Sequence, residues 1–300
     1  MSRPVAVVGP TATGKSELAV KLALELGGEV INADAMQLYR DMDIGTAKVT
    51  AVEMRGVPHH LLDVLDVTQT ASVAAYQRHA REVMETLLAA GKVPVLAGGS
   101  GLYVQAVLDD LRFPGTDPIV RAQLDAEAEI VGAELLHGRL AAVDPIAAAA
   151  ILPSNVRRIV RALEVIEITG QPFSANLPKP GPARYDTVVI GVDREVAELD
   201  ARVDLRVERM FTAGLVEEVA ALAERGLRDG KTASRALGYQ QVLAAMDTDG
   251  DFEAAAAATA QATRRFVRKQ RAWFRRDKRI EWFDGAEGHL ADRALSLLAK

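Results

Sequence analysis

The sequence predicts an α/β fold in which a parallel sheet is flanked by helices and interrupted by an all-helical insertion domain. Short apolar runs alternate with helical periodicity over residues 1–112, as in a sheet covered on both faces. Residues 113–169 are alanine-rich, with helical periodicity and no strand pattern, and an apolar run returns at Asp186–Val192. We therefore expect a core of residues 1–112 and 184–300 around an insertion of residues 113–183.

Each element of the expected core has its own signal. Apolar runs mark the strands, a serine caps the second helix, and glycines follow both helices. In chain order the elements are a strand at Pro4–Val8, a helix at Ser16–Leu26, a strand at Glu29–Ala33, a helix at Ser72–Ala90 and a strand at Val93–Ala97. A proline-containing loop at 171–182 closes the insertion, and after the returning strand the chain is expected to be helical to about Arg276.

Composition excludes several classes of protein. The 300 residues are 49% hydrophobic and 26% charged, the mixture of a globular enzyme rather than of a disordered chain. No apolar run reaches the roughly 18 residues of a membrane span, and the N-terminus has no signal-peptide pattern. We therefore expect a cytoplasmic protein that does not associate with a membrane. Cysteine is absent, which excludes disulfides, thiolate zinc sites and cysteine nucleophiles.

The charge of the chain is distributed unevenly. The net charge is −5, yet Arg264–Arg279 holds nine basic residues and one acid, a local charge of +8 that leaves −13 for the rest. An acidic body with one concentrated basic element indicates a local anionic partner.

A phosphate-binding motif follows the first strand. The segment from Gly9 to Ser16 reads GPTATGKS and matches G-x-x-x-x-G-K-[ST] in full, between an apolar strand and a helix. Glycines allow backbone N–H groups to surround an anion, and the helix N-terminus adds the positive end of its dipole. Lys15 supplies a positive charge, and the Ser16 hydroxyl is placed to bind Mg²⁺ on the phosphate. The motif, called the P-loop below, makes the predicted fold P-loop NTPase-like.

The acid that such sites carry at the end of a second apolar strand is missing. Val93–Ala97 runs into Gly98-Gly99-Ser100 without a carboxylate, whereas the strand at Glu29–Ala33 is followed by Asp34. Because the carboxyl ends of parallel strands gather at one sheet edge, we expect Asp34 and Ser100 to face the bound phosphate. Asp34 as the cap of a short helix through Tyr39, and Ser100 as an ordinary turn residue, remain alternatives.

These motifs together resemble the tRNA dimethylallyltransferase family, the tRNA isopentenyltransferases of bacteria. The resemblance spans nearly the whole chain. After the P-loop it rests on DAMQLY at 34–39, MDIGTAK at 42–48, PHHL at 58–61, GGSGLY at 98–103, Arg158 with RALE at 161–164, and RALGY at 235–239. The P-loop motif is generic, whereas D-A-x-Q-x-Y followed by MDIGTAK is highly specific.

The resemblance implies transfer of a dimethylallyl group from dimethylallyl diphosphate to N6 of the adenosine at tRNA position 37, next to the anticodon, in tRNAs reading codons that begin with U. Asp34 would be the general base, Lys15 would stabilise the departing diphosphate, and Ser100, where relatives commonly have threonine, would contact phosphate, metal or nucleotide. The implied diphosphate-binding residues are Gly9, Pro10, Thr11, Ala12, Thr13, Gly14, Lys15 and Ser16, with Ser16 also binding Mg²⁺. The implied tRNA-binding residues are Asp34, Ala35, Met36, Gln37, Ser100, Arg121, Arg157, Arg158, Arg161, Arg235, Gly238, Tyr239, Arg264, Arg268, Arg271 and Arg275.

The basic segment has helical spacing. Arginines recur at intervals of three and four residues, which places them on one helical face: Arg264, Arg268, Arg271, Arg275 and Arg279. We expect this face to contact RNA phosphates while Phe266 and Trp273 lie in the core; a solvated basic face is the alternative. The resemblance implies that the insertion binds the anticodon stem-loop. Taken alone, its arginines could equally be a surface cluster: Arg157, Arg158 and Arg161.

Three other functions remain open at this point. A small-molecule kinase would explain the P-loop but not the basic helix or the missing acid. A prenyltransferase acting on a free adenine nucleotide would need neither the insertion nor the basic helix. A non-catalytic RNA-binding module would leave the complete P-loop without a purpose. We also expect a monomer.

Overall fold

The computed structural model describes residues 3–176, 181–248 and 250–299, so part of the predicted proline-containing loop lies outside the described residues. The chain forms two compact units. Unit 1 comprises Met1–Leu108 and Pro182–Lys300, and unit 2 comprises Asp109–Gly181.

The centre of unit 1 is a parallel sheet of six strands among the described residues. The strands are β1 (Val5–Val8), β2 (Glu29–Asn32), β3 (His59–His60), β4 (Pro94–Gly98), β5 (Val188–Asp193) and β6 (Ile280–Asp284). They lie in the order β3-β2-β4-β1-β5-β6, with Val5 of β1 opposite Val95 and Val188. The predicted parallel sheet is confirmed, and the carboxyl ends of β1, β2, β4 and β5 meet at one edge. Strand β6 was not predicted, because its short mixed run follows a long charged helix.

Helices of unit 1 cover both faces of the sheet, and other helices form unit 2. In chain order they are α1 (Lys15–Leu26), α2 (Ala51–Met54), α3 (Val73–Ala89), α4 (Gly101–Leu108), α5 (Pro118–Val131), α6 (Ala133–Val143), α7 (Pro145–Ala150), α8 (Val156–Thr169), α9 (Val196–Thr212), α10 (Leu215–Glu224), α11 (Tyr239–Met246), α12 (Phe252–Phe274) and α13 (Leu290–Leu298). Ser72 caps α3 by accepting from the Ala75 N–H, as predicted. Within the described ranges, no helix combines the length and the apolar character that crossing a bilayer requires.

The side chains of β1 show how the sheet is sandwiched. Val5 and Val7 pack with α1 and α13 on one face, whereas Ala6 and Val8 pack with α3 and α4 on the other, and all four are at most 1% exposed. Since side chains alternate along a strand, a continuous apolar run is what a strand buried on both faces requires. Because β1 is held on both faces and ends at Val8, the position of the P-loop that starts at Gly9 is also held.

Unit 2 is built from α5 to α8 and short connections. Its core contains Leu124, Leu136, Leu140 and Ile159, each no more than 1% exposed. Asp117 caps α5 by accepting from the Ile119 and Val120 N–H groups. The expectation of an all-helical insertion is confirmed for the residues that the structure describes.

Candidate active site

The P-loop leaves β1 and enters α1 in the predicted strand–loop–helix context. Gly9 has φ 143° and Gly14 has φ 95°, and a Cβ on Gly9 would lie 2.2 Å from the Val192 carbonyl oxygen. Gly14 precedes α1 and gives no side-chain cap, so among the described residues the N–H groups of the first turn have no side-chain capping partner. This is the geometry of an anion site at a helix N-terminus.

Two arginines in the segment from the end of β5 into α9 donate hydrogen bonds to backbone carbonyls of the P-loop. The Arg202 Nε donates to the Ala12 carbonyl at 2.7 Å, and the Arg194 Nε donates to the Thr13 carbonyl at 3.2 Å. These bonds occupy the Ala12 and Thr13 carbonyl oxygens, so these two acceptors do not face the anion. Sequence reasoning missed both arginines, since the segment carries no recognisable motif.

Two cations lie inside the site. The Lys15 Nζ donates to the Pro10 carbonyl at 3.0 Å, and Arg206 donates to the Thr11 hydroxyl at 3.1 Å. Burial lowers the pKa of Lys15 to about 8, an effect that Asp34 opposes and Arg206 reinforces. Burial also lowers the pKa of Arg206. Desolvated cations grouped in this way favour an anionic ligand, whose negative charge would stabilise their protonated forms.

We expect the affinity for inorganic pyrophosphate to fall as the pH rises through about 8. Below that pH Lys15 carries its charge before binding; above it, the neutral amine must take up a proton when the anion binds. Calorimetry in two buffers of different ionisation enthalpy measures this uptake. In Lys15→Met the proton uptake by the lysine should disappear, so that only the proton uptake by pyrophosphate itself remains. Equal proton uptake by both proteins would contradict the assignment.

A cavity of about 870 Å³ opens in front of the P-loop. Lys15, Asp34 and Arg206 line it together with the loop residues Ala12 and Gly14. The cavity therefore brings the predicted base and the predicted phosphate cradle into one space, as the edge-of-sheet argument required.

Asp34 lies just beyond β2 in a turn held by side chains. Its Oδ1 accepts from the Met36 N–H at 3.0 Å, and its own N–H donates to the Asn32 Oδ1 at 2.9 Å. The segment through Tyr39 forms turns and not a helix, so Asp34 is not a helix cap. Its carboxylate is half-buried at the cavity wall, where it can accept a further hydrogen bond.

The hydroxyl of Ser100 has a different setting from the one expected. Its Oγ accepts from the Ala35 N–H at 3.1 Å, and Ser100 does not line the cavity. The expectation that Ser100 faces the phosphate is therefore corrected: in the described structure it joins the end of β4 to the residue after Asp34.

The MDIGTAK segment forms a wall of the cavity and is held by a carboxylate. The Glu218 side chain accepts from the N–H groups of Asp43, Ile44 and Gly45 at 3.1, 2.7 and 3.2 Å. The Tyr239 hydroxyl donates to the same carboxylate. Three consecutive amides on one carboxylate fix the backbone of this wall.

Gln270 of α12 connects two of the loops at the sheet edge. Its Oε1 accepts from the Thr11 N–H and its Nε2 donates to the Gly99 carbonyl, both at 2.9 Å. A Cβ on Gly99 would lie 2.4 Å from that Nε2, so a larger residue there would displace the Gln270 amide from this bond. Gln270 is 5% exposed, so both bonds are shielded from water. Sequence reasoning missed it, because a single glutamine in a basic helix carries no signal.

Replacing Gln270 with methionine should weaken pyrophosphate binding by about tenfold, because two backbone groups lose their partners and the P-loop loses its link to Gly99. The affinity for tRNA should stay within about twofold. Titration calorimetry of the folded variant measures the first quantity, and Gln261→Met, at an exposed position of the same helix, is the matched control. Unchanged pyrophosphate binding would contradict a positioning role.

The described residues contain no group of three or more His, Asp or Glu side chains that could hold a metal ion. A carboxylate that was not predicted from the sequence, Asp193, lies at the end of β5 beside β1. It is bonded to Arg271 at 2.9 Å and to Arg275 at 3.0 Å. Mg²⁺ commonly takes one or two protein ligands and completes its shell with phosphate oxygens and water. The exposed Ser16 hydroxyl, which lines the cavity, fits that kind of site.

The arginines of the basic segment are paired with acids, yet Arg268 and Arg275 keep 50% and 61% of their side chains exposed. Arg264 bonds to Asp204, Arg268 to Asp200 at 2.7 Å, Arg271 and Arg275 to Asp193, and Arg279 to Asp277 at 2.6 Å. The expectation for the aromatics was wrong: Phe266 is 40% and Trp273 is 36% exposed. The buried stripe of α12 runs through Val267, Gln270 and Phe274, one position away.

The predicted arginines of unit 2 fall into two groups. Arg121 and Arg161 both bond to Glu164, a fully buried carboxylate, and Arg161 also donates to the Pro114 carbonyl at 2.7 Å. Arg157 and Arg158 are exposed and make no side-chain hydrogen bond or ion pair within the described part of the chain. The first pair therefore stabilises the unit, and the second pair is available to a partner.

The RALGY segment is mostly internal. Arg235 is exposed, whereas Gly238 is buried and Tyr239 is fully buried against Gly45 and Glu218. Burial corrects the expectation of a direct tRNA contact from the Tyr239 side chain, which instead supports the cavity wall. A direct contact by Arg235 stays a prediction.

Comparison with known proteins gives a consistent picture. The family model described as IPP transferase matches residues 37–277. A tRNA dimethylallyltransferase of Saccharopolyspora erythraea is 71% identical over 296 residues, covering 99% of this chain and 96% of that protein. One of Streptomyces coelicolor is 62% identical over 304 residues, with 99% and 96% covered. The crystal structure of the tRNA isopentenylpyrophosphate transferase from Bacillus halodurans is similar with a TM-score of 0.73 and 38% identity, covering 100% of this chain and 97% of that one.

Proposed function

The chain belongs to the IPP transferase family, and from this premise we propose that it transfers a dimethylallyl group from dimethylallyl diphosphate to N6 of the adenosine at tRNA position 37, in tRNAs reading codons that begin with U. The observation that carries the proposal is that residues of the P-loop and Asp34 line the same cavity. The acid at the neighbouring strand end, Asp193, is bonded to Arg271 and Arg275. A carboxylate beside a diphosphate cradle, with that acid occupied by arginines, suits the alkylation of an amine better than phosphoryl transfer.

The reaction forms one bond and breaks another. The N6 nitrogen attacks C1 of the dimethylallyl group, and the bond from C1 to the diphosphate oxygen breaks with its electron pair on diphosphate. The N6 proton passes to the Asp34 carboxylate, which must lie within hydrogen-bond reach of the amine. The adenine must leave the stack of the anticodon loop to reach the cavity, at a cost of a few kcal/mol.

The cations of the cavity bind and stabilise the leaving group. The N–H groups at the start of α1, Lys15 and Arg206 converge on the space where the diphosphate would lie. Positive groups preorganised in a desolvated site stabilise charge as it develops on the departing oxygen. Mg²⁺ held by Ser16 and the diphosphate would supply further charge neutralisation.

The tRNA is proposed to contact both units. Asp34, Ala35, Met36 and Gln37 form the turn beside the acceptor nitrogen, and Gln37 itself lines the cavity. In unit 2 the exposed Arg157 and Arg158 are the candidates for phosphates of the anticodon stem-loop.

The direct test combines protein, dimethylallyl diphosphate, Mg²⁺ and unmodified tRNA with adenosine beside the anticodon. After digestion, mass spectrometry should show one nucleoside heavier by a C₅H₈ unit, and a tRNA with guanosine at that position should stay unmodified. AMP as acceptor tests the free-nucleotide alternative, and ATP as donor tests the kinase. Modification of AMP at the rate of tRNA, or ADP formation without tRNA prenylation, would overturn the proposal.

A further inference from the structure

The side chain of Asn32 is buried at the carboxyl end of β2, two residues before Asp34. It is 4% exposed and does not line the cavity. Its Oδ1 accepts from the Asp34 N–H at 2.9 Å, and its Nδ2 donates to the Asp34 carbonyl at 3.0 Å. One side chain therefore bonds to both main-chain polar groups of Asp34.

A third bond ties the Asn32 amide to the segment after the neighbouring strand. The Asn32 Nδ2 also donates to the Leu61 carbonyl at 3.0 Å. Leu61 is the last residue of the PHHL segment, and it follows β3 with φ 62°, in the left-handed region. This bond therefore joins the chain leaving β3 to the turn that carries Asp34.

Among side chains of this size, only an amide can make these three bonds. The position offers one N–H donor and two carbonyl acceptors, which match the oxygen and the two N–H hydrogens of an amide. Aspartate has the same shape but would place a carboxylate oxygen against two carbonyl oxygens. An aliphatic side chain would remove the partner of three main-chain groups, which is costly at a buried position.

The two oxygens of the Asp34 carboxylate differ in their surroundings. Oδ1 accepts from the Met36 N–H at 3.0 Å, whereas Oδ2 has no hydrogen-bond partner in the part of the chain that the structure describes. Asp34 is thus held at its N–H, at its carbonyl and at one carboxylate oxygen. A side chain whose supports are fixed in this way presents its remaining oxygen in one direction.

Resting on the proposed function, we propose that Asn32 is a positioning residue for the transfer and that the Asp34 Oδ2 takes the N6 proton. As the bond from N6 to C1 forms and the bond from C1 to diphosphate breaks, the N6–H electron pair stays on nitrogen and the proton moves to Oδ2. Asn32 touches neither substrate and acts by holding the main chain of Asp34. A displacement of about 1 Å at such a site can cost about 10²-fold in rate.

Asn32→Leu tests the role by removing the three bonds while nearly keeping the volume of the side chain. Its single-turnover rate at saturating donor and tRNA should fall about 10²-fold, because the carboxylate loses its fixed direction. The affinities for tRNA and for pyrophosphate should stay within about threefold of wild type. A wild-type rate, or a loss confined to the two affinities, would overturn the proposal.

Asn32→Ser tests rescue by a conservative replacement. A serine hydroxyl can accept from the N–H two residues ahead, as asparagine does, though more weakly. Its rate should therefore stay within about fivefold of wild type. If the leucine variant does not fold, Asn32→Ala replaces it with the same expected loss, since water can then reach the main-chain groups. A serine variant as slow as the leucine or alanine variant would contradict the role of the bond to the Asp34 N–H.

Tyr76→Phe is the matched control for a general loss of stability. The Tyr76 hydroxyl donates to the main-chain carbonyl of Asn32 at 2.8 Å, so this variant loses a buried hydrogen bond at the same residue but keeps the amide. Thermal denaturation should show both Tyr76→Phe and Asn32→Leu destabilised, whereas the transfer rate of Tyr76→Phe should stay within about threefold of wild type. Equal losses of rate in the two variants would assign the effect to a loosened strand end and overturn the proposal.

The two proposals fail in different ways. Wild-type protein that prenylates tRNA, together with an Asn32→Leu variant of the same rate, would remove only the role of Asn32. Wild-type protein that forms no prenylated nucleoside would remove the proposed reaction, and with it the proton that Oδ2 is proposed to take.

Discussion

Replacing Asp34 with asparagine should lower the rate of dimethylallyl transfer by about 10²- to 10⁴-fold. Asparagine keeps an Oδ1 to accept from the Met36 N–H, so the turn after β2 retains its shape, but the amide cannot take the N6 proton. The affinity for tRNA should stay within about threefold of wild type. Single-turnover assays at saturating donor and tRNA separate the chemical step from binding.

Asp43→Asn is the matched control for that variant. Asp43 lines the same cavity, so its replacement removes an equal charge from the site. Its partner Lys48 keeps its bonds to Asp63 and to the Tyr39 carbonyl, and the loss of rate should be less than about tenfold. Equal losses in the two variants would show that Asp34 acts through its charge and not as a base. Loss of tRNA binding in Asp34→Asn would assign the residue to anchoring.

Replacing Lys15 with methionine should weaken pyrophosphate binding by about 10²-fold and lower the transfer rate by about 10²- to 10³-fold. The methionine fills the space of the lysine alkyl chain, but the positive charge of Lys15 is lost. Arg206 is then the remaining cation of the pair and does not replace that charge. The affinity for tRNA should be unchanged, because Lys15 belongs to the loop that is proposed to bind the diphosphate and not the tRNA. Calorimetry with pyrophosphate and single-turnover kinetics measure the two effects.

Lys21→Met serves as control, since Lys21 lies on the same helix and pairs at the surface with Glu17 at 2.9 Å. It should bind pyrophosphate like the wild type. If Lys15→Met also bound pyrophosphate like the wild type, the bond from Lys15 to the Pro10 carbonyl would be the whole of its role, and the ligand would have to be held by backbone N–H groups and Arg206.

The features of this protein that could be predicted from the sequence are those with a local signal. The alternation of apolar runs and helical periods predicted the parallel sheet, and Gly9 to Ser16 specified an anion loop in full. The position of Asp34 directly after a strand placed it at the edge where the P-loop lies, because parallel strands share a direction. Such features depend on neighbours in sequence, and the physical rules that connect them to structure act over a few residues.

Contacts between side chains that are far apart in sequence depend on how the elements pack and could not be predicted from local patterns. Gln270 reaches Thr11 over 259 residues, and Arg206 reaches it over 195. The same packing turned a row of arginines predicted to bind RNA toward Asp193, Asp200 and Asp204, and it left Phe266 and Trp273 in solvent. A helical period defines the faces of a helix but not which face is buried. That choice is made by the neighbouring elements, whose charges and apolar surfaces must be matched when the fold assembles.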